Sequence, residues 1–162
     1  MWRDFNCLAR RKPRTSGYTL VELSVVLLIM SILASISTMA LSTSTNRFRA
    51  EVAARGIVSA IETVRTNARM TSASRRIQFS VTNNNYTLVG VLNPDTPGQT
   101  NVVKLNGTVY QATLQSVNLG GDSELIVSGY GVPDSGGTIV VTSGGTTKTI
   151  NVDAATGKAT IL

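Results

Sequence analysis

From Tyr18 to Leu41 the chain runs twenty-four residues without a Lys, Arg, Asp, Pro or Gly, and Glu22 is the only charge among them. At about 1.5 Å per residue such a run forms a helix of about 36 Å, enough to cross a hydrocarbon core of about 30 Å. A carboxylate inside an apolar segment of that kind is expensive and marks a functional position by default. No other stretch constrains the fold as strongly, because the remainder of the chain must be arranged around one long apolar helix.

The residues before the run are basic. Arg3, Arg10, Arg11, Lys12 and Arg14 stand against Asp4 alone, a net charge of +4 on residues 1–17. Basic residues on one flank of an apolar helix set its orientation, with the basic side kept in the cytoplasm. Two ordinary readings fit this much. One is an uncleaved signal anchor; the other is a secretory signal cut near Ser37-Thr38-Met39-Ala40, which would discard the apolar run.

The order of residues at the boundary points to a third reading, in which the run is kept. Gly17, Tyr18, Thr19, Leu20, Val21 and Glu22 match one by one the N-terminal signature of type IV pilins and type II secretion pseudopilins. In that signature a basic leader ends in Gly, and an aromatic, Thr, two aliphatics and Glu follow. The chain departs from it in having Tyr18 where Phe is usual and in lacking a Pro that kinks the helix in many pilins, so a straighter helix is expected. The resemblance implies cleavage after Gly17 by a prepilin peptidase, N-methylation of Tyr18, and an assembly segment containing Thr19, Leu20, Val21 and Glu22. It also implies that Glu22 pairs with the α-amine of a neighbouring subunit, so that two buried charges offset each other. A plainer role stands beside it: a carboxylate near the N-terminus stabilises the positive end of the helix dipole.

Ser24, Ser31, Ser35 and Ser42 recur at offsets of 7, 11 and 18, one narrow stripe on a helix. Small residues in a stripe allow membrane helices to pack closely, while a serine can also bond the carbonyl a turn back in its own helix. Beyond Asn46, Phe48, Val52, Ile57, Ile61, Val64 and Ala68 recur at mostly helical spacing, with Arg47, Arg49, Arg55, Arg65, Arg69, Glu51 and Glu62 assigned to the opposite face. This amphipathic helix is expected to reach about Thr71 and to pack its apolar stripe on a sheet. Gly56 weakens it and marks a bend or a close approach.

The rest reads as strands. Residues 76–81 and 86–91 form a hairpin across Asn83-Asn84-Asn85, and Asn93-Pro94-Asp95-Thr96-Pro97-Gly98 is a loop. Weaker strands are expected at 101–105, 108–117 and 124–128. Thr138–Val141 pairs with Thr147–Val152 across Ser143-Gly144-Gly145, and 158–162 is the last strand. The expected organisation is a leader at 1–17, a transmembrane and assembly helix at 18–41, an amphipathic helix at 42–75 and a β-rich periplasmic head at 76–162. The fold class is α+β, pilin-like, with a long N-terminal helix packed on an antiparallel β-sheet head. With aromatics at 5%, the core must be mostly Val, Ile, Leu and Ala.

The head resembles the GspH/FimT branch of pseudopilins in four segments: Asn67-Ala68-Arg69, Gly129-Tyr130-Gly131-Val132-Pro133, Gly136-Gly137-Thr138-Ile139-Val140 and Thr156-Gly157-Lys158-Ala159-Thr160. This implies a minor pseudopilin, inserted in the inner membrane with its head in the periplasm. Its partners would be the peptidase, other major and minor pseudopilins, an inner-membrane assembly platform and membrane lipid. DNA-binding FimT-like tails carry arginines where this chain has Lys158 and Thr160, and residues 77–162 have a net charge of −2, which argues against nucleic acid. Residues 47–76 carry +5, a face suited to solvent or anionic lipid head groups. The chain has no His, which excludes a Ser-His-Asp triad and the usual zinc sites, and its only cysteine, Cys7, lies in the leader. Asp134-Ser135-Gly136-Gly137 is then a turn. No catalytic residue, cofactor or metal ligand is expected.

Overall fold

The computed structural model describes residues 17–93 and 96–162; within the long helix the side chains of residues 36–42 are not described. The leader up to Ser16, the Pro94-Asp95 part of the expected loop and the side chain of Ser42 lie outside these residues. Among the described residues one helix, α1 (Leu20–Thr71), is followed by eight strands: β1 (Arg75–Ser80), β2 (Asn85–Val89), β3 (Asn101–Lys104), β4 (Thr113–Leu119), β5 (Glu124–Val127), β6 (Gly137–Ser143), β7 (Thr146–Val152) and β8 (Ala159–Ile161). The chain divides into two compact units, Met1–Met39 and Ala40–Leu162.

In the second unit the strands form two antiparallel sheets, ordered β3-β2-β1-β5 and β4-β6-β7-β8. In β1 the side chains of Ile77 and Phe79 turn inward and those of Arg76 and Gln78 outward, the period-2 alternation of a half-buried strand. Tyr86 and Leu88 do the same in β2. The β1–β2 turn closes on Asn84, whose φ of 50° suits asparagine. The same residue joins the sheets: its carbonyl accepts from Leu105 N–H at 2.8 Å and its side-chain oxygen from Leu114 N–H at 3.0 Å. Gly144 and Gly145 both have positive φ, 51° and 83°, as a type I′ turn between β6 and β7 requires. Residues 108–110 form a turn, and the strand expected from 108 begins at Thr113, past Gln111 in the left-handed region.

The core joins one helix face to the inner face of each sheet. Ala50, Ala53, Ala54, Ile57, Ile61, Val64 and Ala68 bury fully against Ile77, Leu125 and Val127 of the first sheet and Ile139, Val141 and Ile150 of the second. Among the described residues the buried aromatics are one tilted pair, Phe79 and Tyr86, with ring centroids 6.0 Å apart, and Tyr110 packs half-buried against the core.

Two helix assignments are reversed. Phe48, expected in the apolar stripe, is 69% exposed, and Arg65, expected on the polar face, is 9% exposed. At about 100° per residue, Phe48 lies about 180° from Ile57, whereas Arg65 lies about 20° from Ala54. The stripe therefore begins with alanines at 50, 53 and 54 and takes in an arginine. At Gly56 the helix does make a close approach: a Cβ there would sit 3.2 Å from the Tyr110 ring.

The helix ends in a six-residue motif. Ala73 N–H donates to Ala68 O at 3.2 Å and Ser72 N–H to Arg69 O at 3.3 Å, with Ser72 at φ 49°. This is a Schellman cap with serine in the position usually held by glycine.

Candidate processing and assembly site

Gly17, Tyr18 and Thr19 precede the helix without regular structure. Gly17 is exposed, and among the described residues a Cβ placed on it would meet nothing within 4 Å. Tyr18 is 84% exposed, and Leu20 and Val21 are also exposed. Thr19 is the N-cap: its Oγ1 accepts from Glu22 N–H at 3.2 Å, and its carbonyl accepts the first helical bond from Leu23 N–H at 3.1 Å. Thr19 and Glu22 have the Thr-x-x-Glu spacing of a capping box. That role for Thr19 was missed by the sequence reading, although the spacing carries it. The Glu22 side chain is exposed and, among the described residues, in no ion pair. The geometry thus presents a carboxylate one turn into a capped helix, beside an exposed aromatic and an open glycine.

Ser24, Ser31 and Ser35 each donate to the carbonyl three residues back, Val21, Leu28 and Ile32, at 2.8, 2.8 and 2.7 Å. Their hydroxyls are satisfied within the helix, which leaves the stripe small and non-sticky. Among the described residues no helix is long and apolar enough to cross a membrane. The apolar stretch with described side chains, Leu20–Ser35, spans about 24 Å, short of a full crossing.

In the second unit three of the four segments, Asn67–Arg69, Gly129–Pro133 and Thr156–Thr160, meet at the C-terminal end of α1. Arg65 donates to Thr156 O at 2.7 Å and, at a long 3.4 Å, to Gly131 O, and it pairs with Glu62. Arg69 donates to Tyr130 O at 3.2 Å, and Asn67 Oδ1 accepts from Arg75 Nε at 2.9 Å. Asp153 closes the β7–β8 loop, accepting from Ala155 N–H, Thr156 N–H and the Thr156 hydroxyl at 2.9, 2.7 and 3.0 Å. Those bonds hold its carboxyl below the usual range. Asp134 accepts from Ile126 N–H at 3.1 Å and from the Ser135 hydroxyl, so Asp134–Gly137 is joinery beside β5. These arginines and loops fasten the helix to the head. No group of acidic or sulfur ligands able to hold a metal occurs among the described residues.

A family model described as the prokaryotic N-terminal methylation motif matches residues 12–38. The structure is similar to crystal structures of the type IV minor pilin FimU of Pseudomonas aeruginosa. One matches with a TM-score of 0.51 at 14% identity, over 72% of this chain and 90% of that one. The fold is the pilin fold. A second crystal form of that protein matches at 13% identity over 69% and 91%, with a TM-score of 0.48. No curated protein matches the chain in sequence. The chain thus carries an N-terminal methylation motif at residues 12–38 and has the pilin fold.

Proposed function

We propose that the chain is a minor pseudopilin of a type II secretion system, structural rather than enzymatic. Prepilin peptidase cuts it after Gly17, Tyr18 is N-methylated, and the apolar helix anchors it once in the inner membrane with its head in the periplasm. It then joins other pseudopilins in a short filament, Glu22 pairing with a neighbour's α-amine. The observation that carries this reading is the exposed, capped segment from Gly17 to Glu22 within a matched methylation motif. The GspH-type placement is supported by three of the four resembling segments, which converge at the end of α1.

A second reading is a minor pilin of a type IV pilus, for which the fold likeness to FimU speaks. A DNA-contacting version of it needs a basic patch on the head, and residues 77–162 carry three lysines against five acids.

The first test is the intact mass and N-terminal sequence of the protein from its native membrane. A chain beginning at Tyr18, heavier by one methyl group, is expected; one beginning at Met1 or near Leu41 would end the pilin reading. Among the described residues a Cβ at Gly17 meets nothing, and Gly17→Ala is expected to block cleavage while leaving insertion intact. Glu22→Val is expected to be processed and to fail in assembly; filaments at wild-type levels would remove the charge-pairing account. Deletion of the gene separates the machines, abolishing protein secretion in one case and pili in the other.

A further inference from the structure

Ser44, Arg47, Phe48 and Glu51 fall on one face of α1, and with Lys148 of β7 they line an open groove of about 290 Å³. Phe48 stands out of it with 69% of its surface exposed. Glu51 is held by Arg55 at 3.0 Å and Lys148 at 3.1 Å, while among the described residues Arg47 and Arg49 take part in no ion pair. Arg55 and Lys148 together offset the Glu51 carboxylate, and Arg47 and Arg49 add unpaired positive charge on the two sides of the exposed Phe48 ring along the helix. An aromatic ring flanked by arginines suits the boundary between acyl chains and acidic head groups, where the ring enters the apolar layer and the guanidiniums meet phosphate.

The sequence places this cluster near such a boundary. The apolar run ends at Leu41, six residues before Arg47, and six residues of chain reach at most about 20 Å. A basic flank beyond a membrane helix opposes the orientation that the leader sets, so it calls for a counter-charge on that side. We propose that Arg47, Phe48 and Arg49 form a lipid-contact site that holds the base of the head against the acidic phospholipid of the outer leaflet until the subunit is drawn into a filament. This rests on the membrane-anchoring reading above.

The test uses the full chain carrying W2F and F48W, reconstituted into vesicles of phosphatidylcholine alone or mixed with phosphatidylglycerol. Flotation reports anchoring, and quenching of the introduced indole by brominated lipid reports contact. Strong quenching is expected only in the acidic vesicles, and it should disappear in high salt because the attraction is screened. R47Q and R49Q should each reduce the ratio of quenched to unquenched indole about fivefold, the effect of one basic residue near an acidic surface. A chain that fails to float would overturn the anchoring reading and this site with it. A chain that floats but is quenched equally in both vesicles, or unchanged by R47Q and R49Q, would overturn the site alone. Shielding that rises with protein density rather than acidic lipid would assign the surface to a second copy and overturn the site as well.

Discussion

Replacing Arg65 by Met keeps most of the side-chain stem and removes the guanidinium, so it separates packing from fastening. The guanidinium makes one short bond to Thr156 O at 2.7 Å and a long one to Gly131 O at 3.4 Å. A hydrogen bond to a charged group contributes about 1.5–3 kcal/mol, and the long one falls well short of that. The Glu62 pair adds less than about 1 kcal/mol, because the Glu62 side chain is 58% exposed and water screens the attraction. Against these stands the recovered cost of desolvating the arginine, so the expected net loss is about 2–3 kcal/mol. For a unit of this size that lowers the melting temperature by about 6–12 °C. Hydrogen exchange of the full chain in detergent micelles should show the loss first in residues 128–134 and 153–158, the two loops that Arg65 fastens to α1. Arg69→Met is the control, since it removes a single exposed bond to Tyr130 O and should lose less than about 1 kcal/mol. If Arg65→Met changed stability by under about 0.5 kcal/mol, or if the two variants were equal, Arg65 would be an incidental occupant of the apolar stripe.

Two further outcomes test the head. At Gly137 a Cβ would lie 1.9 Å from the Asn118 carbonyl oxygen, a backbone atom in the paired strand β4. Gly137→Ala is therefore expected to lose at least about 3 kcal/mol by chemical denaturation, whereas Gly145→Ala, with φ 83° and nothing within 4 Å, should lose only about 1–2 kcal/mol through backbone strain. In acid, Glu51 and Asp153 both titrate below their ordinary values of 4.5 and 3.8, Glu51 because Lys148 and Arg55 bond it and Asp153 because Thr156 and Ala155 do. A depressed carboxyl contributes stability that is present above its ordinary value and is lost as pH falls through the lowered one. Urea midpoints should thus be flat with pH down to about 4.5 and then decline, with a shallower decline in Glu51→Gln and Asp153→Asn; equal slopes in all three would remove both groups from the account.

The residues that folded as read and those that did not differ in kind. Ile57, Ile61, Val64 and Ala68 were legible because apolar side chains at helical spacing have one place to go. The hairpins were legible because asparagines and glycines were needed where φ turned positive. Phe48 and Arg65 were misplaced because residue type was allowed to override angle: measured around the helix, the arginine belongs to the stripe and the phenylalanine to its back. What the angle cannot supply is the reason a guanidinium is tolerated inside. That reason is the pair of carbonyls at Gly131 and Thr156, which lie 66 and 91 residues away in sequence, one in the Ser128–Val132 turn and the other in a turn that Asp153 organises. Only folding brings them to Arg65.

The same contrast applies to the N-terminal segment. The Thr19–Glu22 cap is local, complete in four residues, and was open to reading from the chain alone. The proposed partner of the Glu22 carboxylate is another subunit's amine, and no property of one chain fixes where that amine lies. A capped first turn does fix where the carboxylate points from. A Thr19→Ser variant, which keeps the oxygen, should therefore assemble normally, while Thr19→Val, nearly isosteric but unable to accept the Glu22 amide, should fray the first turn by about 1 kcal/mol and weaken assembly without affecting cleavage after Gly17. Equal assembly of both variants would mean that Glu22 finds its partner without a preformed turn, and the capping box would then be a helix start and nothing more.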